Sequence, residues 1–306
     1  MEDSGEGEER RSNWAELTNV CLIDIFSRLT PENRWNSAMS VCKSWLEACK
    51  DPTLNTVVNL EPRFESTEDS PGLWTPEFER RVDAMLRSIV EWSDGSLKEI
   101  RVRHCSDFSL SFAAERCTGL EILSIMSSAR VTDECMSRVA FNCPKLTELD
   151  VSYCHEISHE SLALIGKSCP NLKTLRRNLM NWLDPSQYTE IVPLDYLNAC
   201  PQDGDSEAAA IGKYMPNLKH LEIRFSKITV NGINFICQGC PSLEYLDVSG
   251  CANVTGGDID IAVENLKNLE VIKKVNYYIP RMAVHLERYG HWSLYDARFQ
   301  MDNFRI

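Results

Sequence analysis

Cys237-Gln-Gly-Cys240 has the spacing of a redox dithiol or of half a zinc site, and the chain holds thirteen cysteines, so thiol chemistry is the first possibility to weigh. A zinc site needs a second cysteine or histidine pair at matching spacing, and none follows. His155 and His159 are four apart but straddle a turn after Cys154, so they do not share one helix face. No Gly-rich phosphate loop, nucleophile elbow or His-Glu-x-x-His run occurs. No catalytic residue, metal ligand or cofactor is therefore assigned, and the cysteines are expected to act as small buried hydrophobes.

The reason lies in where the cysteines fall. Cys117-Thr-Gly-Leu120-Glu-Ile-Leu123, Cys143-Pro-Lys-Leu146-Thr-Glu-Leu149 and Cys169-Pro-Asn-Leu172-Lys-Thr-Leu175 are copies of one phrase, which returns at Met215, Cys240 and Leu266. The steps from Leu120 through Leu146, Leu172, Leu218, Leu243 and Leu269 are 26, 26, 46, 25 and 26 residues. Leu-x-x-Leu-x-Leu predicts a short strand burying alternate residues, and the stretch after it, as in Leu162, Ile165 and Cys169, has helical spacing. Such a unit cannot cover its own apolar face, so copies must stack. The pattern resembles the cysteine-containing leucine-rich repeats, including their Cys-x-x-Ile-Ser/Thr element at Cys154 to Ser158 and Cys251 to Thr255. The fold class expected is α/β: a solenoid of about six to seven repeats, a curved parallel sheet with outer helices, over 95–275.

Residues 13–57 do not follow the repeat and carry three short helical patterns. Leu17, Cys21, Leu22, Ile25, Phe26 and Leu29 fall on one stripe; Thr30-Pro31-Glu32 reads as a cap and first helical residue; Val41, Cys42, Trp45 and Leu46 form the third pattern. This stretch resembles an F-box, through the Leu17…Leu22-x-x-Ile25-x-x-x-Leu29 helix, Val41-Cys42-Lys43-x-Trp45 and the Asp51-Pro52 exit. Thr18 stands where many members carry proline. The resemblance implies docking through Leu17, Leu22, Ile25, Leu29, Val41 and Trp45 on a Skp-type adaptor, and through it on a cullin-RING ligase. The segments Trp14-Ala-Glu-Leu17, Asp51-Pro-Thr-Leu54, Trp74-Thr-Pro-Glu-Phe78 and Tyr289-Gly-His-Trp292 further resemble plant F-box proteins of the Skp-interacting-partner type. What this implies is the substrate-recognition subunit of an SCF-type ubiquitin ligase, itself without catalysis; the alternative is a leucine-rich-repeat scaffold with no ligase connection.

The remaining boundaries follow from composition. Residues 1–12 are an acidic tail expected to be disordered, 58–75 a polar linker and 76–94 a helical cap. An insertion over 179–205 accounts for the 46-residue step and serves either recognition or self-packing, and 276–306 is an aromatic-rich C-terminal cap. A net charge of -13 works against a nucleic-acid footprint, and neither a membrane span nor a basic leader is present, so nucleus or cytoplasm is expected. Side chains alternate along a strand, which puts Arg101, Arg103, Asp150, Arg176, His220, Arg224 and Tyr245 on the concave face. With Trp182 of the insertion they are the candidate contacts for an unidentified protein substrate.

Overall fold

The structure is a computed structural model and describes Trp14 and residues 17–61, 71–180 and 203–275. The acidic tail, the middle of the expected linker, most of the insertion with Trp182, and the C-terminal aromatic segment lie outside the described residues.

Eight three-residue strands pair in chain order, all parallel: β1 (Val57–Asn59), β2 (Glu99–Arg101), β3 (Ile122–Ser124), β4 (Glu148–Asp150), β5 (Thr174–Arg176), β6 (His220–Glu222), β7 (Tyr245–Asp247) and β8 (Val271–Lys273). The register is that of the repeat, with Ile100, Leu123, Leu149, Leu175, Leu221 and Leu246 in one row, all fully buried against the helices. After the three helices α1 (Asn19–Phe26), α2 (Pro31–Asn36) and α3 (Lys43–Cys49), the outer layer is α4 (Pro76–Trp92), α5 (Asp107–Arg116), α6 (Asp133–Asn142), α7 (His159–Ser168), α8 (Gly204–Tyr214), α9 (Val230–Gly239) and α10 (Gly256–Val263). β5 pairs directly with β6, so the 46-residue step adds chain between neighbouring strands and no strand between them.

Two ladders that run between repeats explain the residue choices. Repeat thiols from Cys143 onward point at carbonyls one repeat back: Cys169 Sγ lies 3.5 Å from Cys143 O, Cys240 Sγ 3.5 Å from Met215 O, and Cys154 Sγ 3.1 Å from Ile125 O. The twelve described cysteines are free, and burial pushes Cys143, Cys154, Cys240 and Cys251 up to about 12, so they persist as thiols that pack and donate weakly. At the helix starts a carboxylate from one repeat accepts from the capping residue of the next. The backbone N–H groups of Ser106, Thr132, Ser158 and Thr229 donate to Asp83, Asp107, Asp133 and Asp205 at 3.0, 2.8, 2.8 and 2.7 Å.

The strand exits bend through the left-handed region at His104, Ser127, Tyr153, Phe225 and Gly250, with φ of 55, 55, 61, 57 and 73°. Four of these carry a Cβ, at roughly 1–2 kcal/mol each. Hydrogen bonds from the next repeat hold them there, Tyr153 N donating to Asn178 O and Phe225 N to Ser249 O, both at 2.9 Å.

The expected linker is corrected by the structure: its first residues are in the sheet. β1 pairs with β2, Val58 is fully buried, and Leu60 N donates to Arg101 O at 2.9 Å. Residues 76–94 are accordingly the helix of a first complete unit, which starts with β1. The front helices join it without an intervening segment, since Trp35 packs on Trp92 at 5.5 Å and Lys98 N donates to Thr56 O at 2.8 Å. Thr30 caps α2 as the sequence predicts, and Thr75 caps α4 in the same way, accepting from Asn33 N and Phe78 N.

Helices α8 and α9 touch backbone to backbone: a Cβ on Gly239 would sit 1.9 Å from Gly212 O, and one on Gly212 would sit 2.2 Å from Phe235 O. Gly239→Ala should therefore lower the thermal midpoint, at a cost of about 1–3 kcal/mol. Gly256→Ala, where nothing lies within 4 Å of the added Cβ, should leave the midpoint unchanged or raise it. Thermal melts of both variants decide; equal effects would remove the close packing of these helices as a constraint.

Candidate functional site

Helices α1 to α3 form a module with its own core of Leu22, Phe26, Ala38, Ala48, Cys49 and Leu54. Thr18 opens α1 as its cap, accepting from Cys21 N at 3.4 Å, so the residue standing where many F-box sequences carry proline serves the same entry in another way. Of the expected docking residues, Leu17, Leu29 and Trp45 are half-buried, and Trp45 packs edge-on against Phe26 at 5.1 Å while its indole N–H donates to Trp14 O. Leu22 is only 1% exposed; it belongs to the module's core and presents nothing to a partner. Ile25 and Val41 are open to solvent at 37% and 58%. Val20, at 77%, joins them and was not among the expected contacts, because its place outside the Leu17 stripe hid it. Trp14 is exposed too, which gives a module whose core is complete and whose outside still carries large apolar side chains.

On the face of the sheet away from the helices, register brings together Arg101, Asp150 and Arg176 in one row, and His220 and Tyr245 in another. Arg103 and Arg224 follow their strands and Arg103 is buried. The arginines are links in an alternating chain. Arg101 Nε and Nη1 donate to Glu99 and Glu148 at 2.7 and 3.0 Å; Arg176 Nη1 and Nε donate to the same Glu148 oxygen and to Glu222 at 2.6 and 3.2 Å. Arg224 continues it with Nη2 on Glu222 at 3.0 Å and Nε on Asp247 at 2.8 Å, and Lys273 ends it 3.9 Å from Asp247. Strand alternation alone places these cations on the open face without pairing them. Acids and bases alternating at equivalent strand positions were the signal.

Glu222 is the centre of this chain, touching Arg176, Arg224, the Asn178 amide at 3.2 Å and His220 Nε2 at 2.8 Å. Burial alone would raise its pKa; the hydrogen bond with His220, the charges of Arg224 and Arg176 and the Asn178 amide outweigh that and hold it down at about 2. His220 also stacks on Tyr245, with centroids 4.1 Å apart and planes 4° from parallel.

Beneath this face, Arg177 occupies the ladder position held by Val151 and Ile223 in neighbouring strands, and it is completely buried. Its guanidinium donates to Cys154 O and Ile157 O at 2.7 Å each and to Glu207 of α8 at 2.9 Å, tying the preceding strand exit to the helix that follows the insertion. Neither the pair nor its role was visible in the sequence.

The helical module and the stacked sheet together define an F-box unit fused to a leucine-rich-repeat solenoid. The family models agree: residues 14–58 match the F-box-like family and residues 142–166 the Leucine Rich repeat family. F-box protein SKIP1 of Arabidopsis thaliana is 54% identical over 98% of this chain and 100% of its own length, and Putative F-box/LRR-repeat protein 19 of the same plant is 54% identical over 91% and 93%. Putative F-box/LRR-repeat protein 21 is 34% identical over 87% of this chain and 82% of its own. The chain belongs to the F-box/leucine-rich-repeat protein family.

Because Glu222 has a depressed pKa in the fold, it contributes stability that is fully present above the ordinary glutamate range and lost as pH falls through its folded value of about 2. Glu222→Gln should thus melt lower than wild type at neutral pH, and the gap should narrow between about pH 4.5 and about 2. Melting curves across that range check it. A gap independent of pH would mean that Glu222 holds the sheet by shape alone.

Proposed function

We propose that this chain is the substrate-recognition subunit of an SCF-type (Skp-cullin-F-box) E3 ubiquitin ligase: the F-box module holds a Skp-type adaptor, and the open face of the repeats holds the protein to be ubiquitinated. The observation that carries the reading is that Val20, Ile25 and Val41 are exposed apolar side chains on a module whose own core is already filled. A capping domain serving only the solenoid would bury its large apolar residues against it; these are open to solvent. Among relatives at 54% identity is one named F-box protein SKIP1, which agrees with an adaptor partner.

Ubiquitin transfer then belongs to the other subunits, and this chain contributes placement. The direct entry of the F-box into β1 supports that role, since the open face stands in a fixed relation to the adaptor surface. The twelve described cysteines, all free, fit a reducing compartment, so the cytoplasm or nucleus is the proposed place of action.

Ile25→Glu with Val41→Glu places charges on exposed positions, which spares the module's core. Adaptor pull-down with the double variant should lose at least about tenfold in affinity, as for residues at the centre of an interface. Its melting curve should match wild type. Undiminished adaptor binding would remove the ligase reading and leave a leucine-rich-repeat scaffold.

A further inference from the structure

The open face divides into two rows with opposite character. The row of Arg101, Asp150, Arg176, Glu222, Asp247 and Lys273 has its cations tied up in ion pairs, with Asp150 a further carboxylate beside Arg176. Glu99, Glu148, Glu222 and Asp247 balance Arg101, Arg176, Arg224 and Lys273, and the inner links each bridge two partners of opposite sign. The acids at the centre of the chain lie deeper than its cations, Glu222 and Asp247 being buried while Arg176 and Lys273 remain partly open. A phosphate approaching these guanidiniums would have to replace carboxylates already bonded to them and would meet those same carboxylates a few ångström away.

The neighbouring row, one position earlier in each strand's alternation, reads Ile122, Glu148, Thr174, His220, Tyr245 and Val271 from β3 to β8. Glu148 belongs to the charge chain; the other five carry no fixed charge apart from what His220 gains on protonation. All five are partly or fully open to solvent. Among the described residues, the Thr174 and Tyr245 hydroxyls make no hydrogen bond, and the His220–Tyr245 stack holds two rings side by side in a fixed orientation. Partly open apolar side chains, a rigid aromatic pair and hydroxyls with capacity to spare are the features that bind an uncharged segment.

We propose that the row Ile122, Thr174, His220, Tyr245 and Val271 is the substrate-reading stripe, and that it takes an extended, unphosphorylated peptide segment presenting aromatic or aliphatic side chains. This rests on the substrate-receptor reading above. From β3 to β8 the stripe crosses five strand intervals, about 24 Å at ~4.8 Å each, which about seven extended residues span. The charge chain beside it fixes the curvature and register of the strands that present the stripe, and turns away anionic ligands.

The test uses the full chain with its adaptor and three pools of fluorescein-labelled degenerate peptides, each of about ten residues. One pool carries phosphoserine at its centre, one a pair of aspartates, and one an aromatic or aliphatic residue. Fluorescence polarisation should show retention of the third pool in preference to the others, with little change between about 50 mM and about 500 mM salt, because apolar contacts are not screened. Tyr245→Ala should weaken that binding at least about tenfold. Should Tyr245→Ala fail to fold, Tyr245→Phe combined with Thr174→Val removes only the two hydroxyls and should still weaken it severalfold. Preference for the phosphoserine or aspartate pool, strong salt dependence, indifference to both variants, or retention of no pool overturns the proposal. Adaptor binding is read separately on the same samples; a chain that captures the third pool and not the adaptor would sink the receptor reading and keep the stripe.

Discussion

A repeat of about 26 residues cannot bury its own apolar face, and everything else in this structure depends on that constraint. Stacking is what removes the ladder leucines from water. Once stacking is obligatory, each position between repeats must satisfy its polar groups across the joint as well. The thiols of Cys169 and Cys240 do so on carbonyls one repeat back, and Asp83 and Asp107 on the caps of the next repeat. On the open face the same demand gives an alternating chain of acids and bases from Glu99 to Lys273, each inner link reaching across a strand boundary. Cross-repeat satisfaction of this kind makes the sheet a single elastic body.

The front module is attached to that body at its first strand. F-box residues run into β1, whose Val58 enters the same buried row as Ile100 and Leu123, while Trp35 rests on Trp92 of the first outer helix. A flexible tether would let a bound protein sample many positions relative to the adaptor surface. Here the position is set by strand pairing and an aromatic contact. This is the structural reason to regard the F-box module and the repeats as one unit.

How much of this was legible in the sequence depended on whether a residue kept the repeat's type. The strands from β2 onward, their register and the outer helices follow from leucine spacing, and Thr30 announced its helix. β1 was hidden because Asn55 stands at the leading ladder position, three residues before Val58 as Leu97 is before Ile100; its amide turns inward to donate to Cys49 O and Asp51 O at 3.0 and 2.8 Å. Arg177 was hidden in the same way, a cation at a Val or Ile position whose partner Glu207 lies beyond the insertion. For the docking module, helical periodicity placed Leu22 on the correct stripe and could not say which side of the stripe was core; Val20 was the open residue. On the open face the sequence offers Arg101, Arg176 and Arg224 as candidate cations, one repeat at a time. Their pairing is a property of register across strands, which no single repeat displays.

The claim on which this account stands is that F-box and repeats fold as one body through β1. Hydrogen exchange of the full chain, read by mass spectrometry on the segment holding Val58 to Leu60, tests it directly. Those amides should exchange as slowly as those of β2, because Leu60 N–H is held by Arg101 O and Lys98 N–H by Thr56 O across the joint. Exchange of β1 at the rate of an unpaired loop, with β2 still protected, would contradict it and return the F-box to the end of a flexible tether.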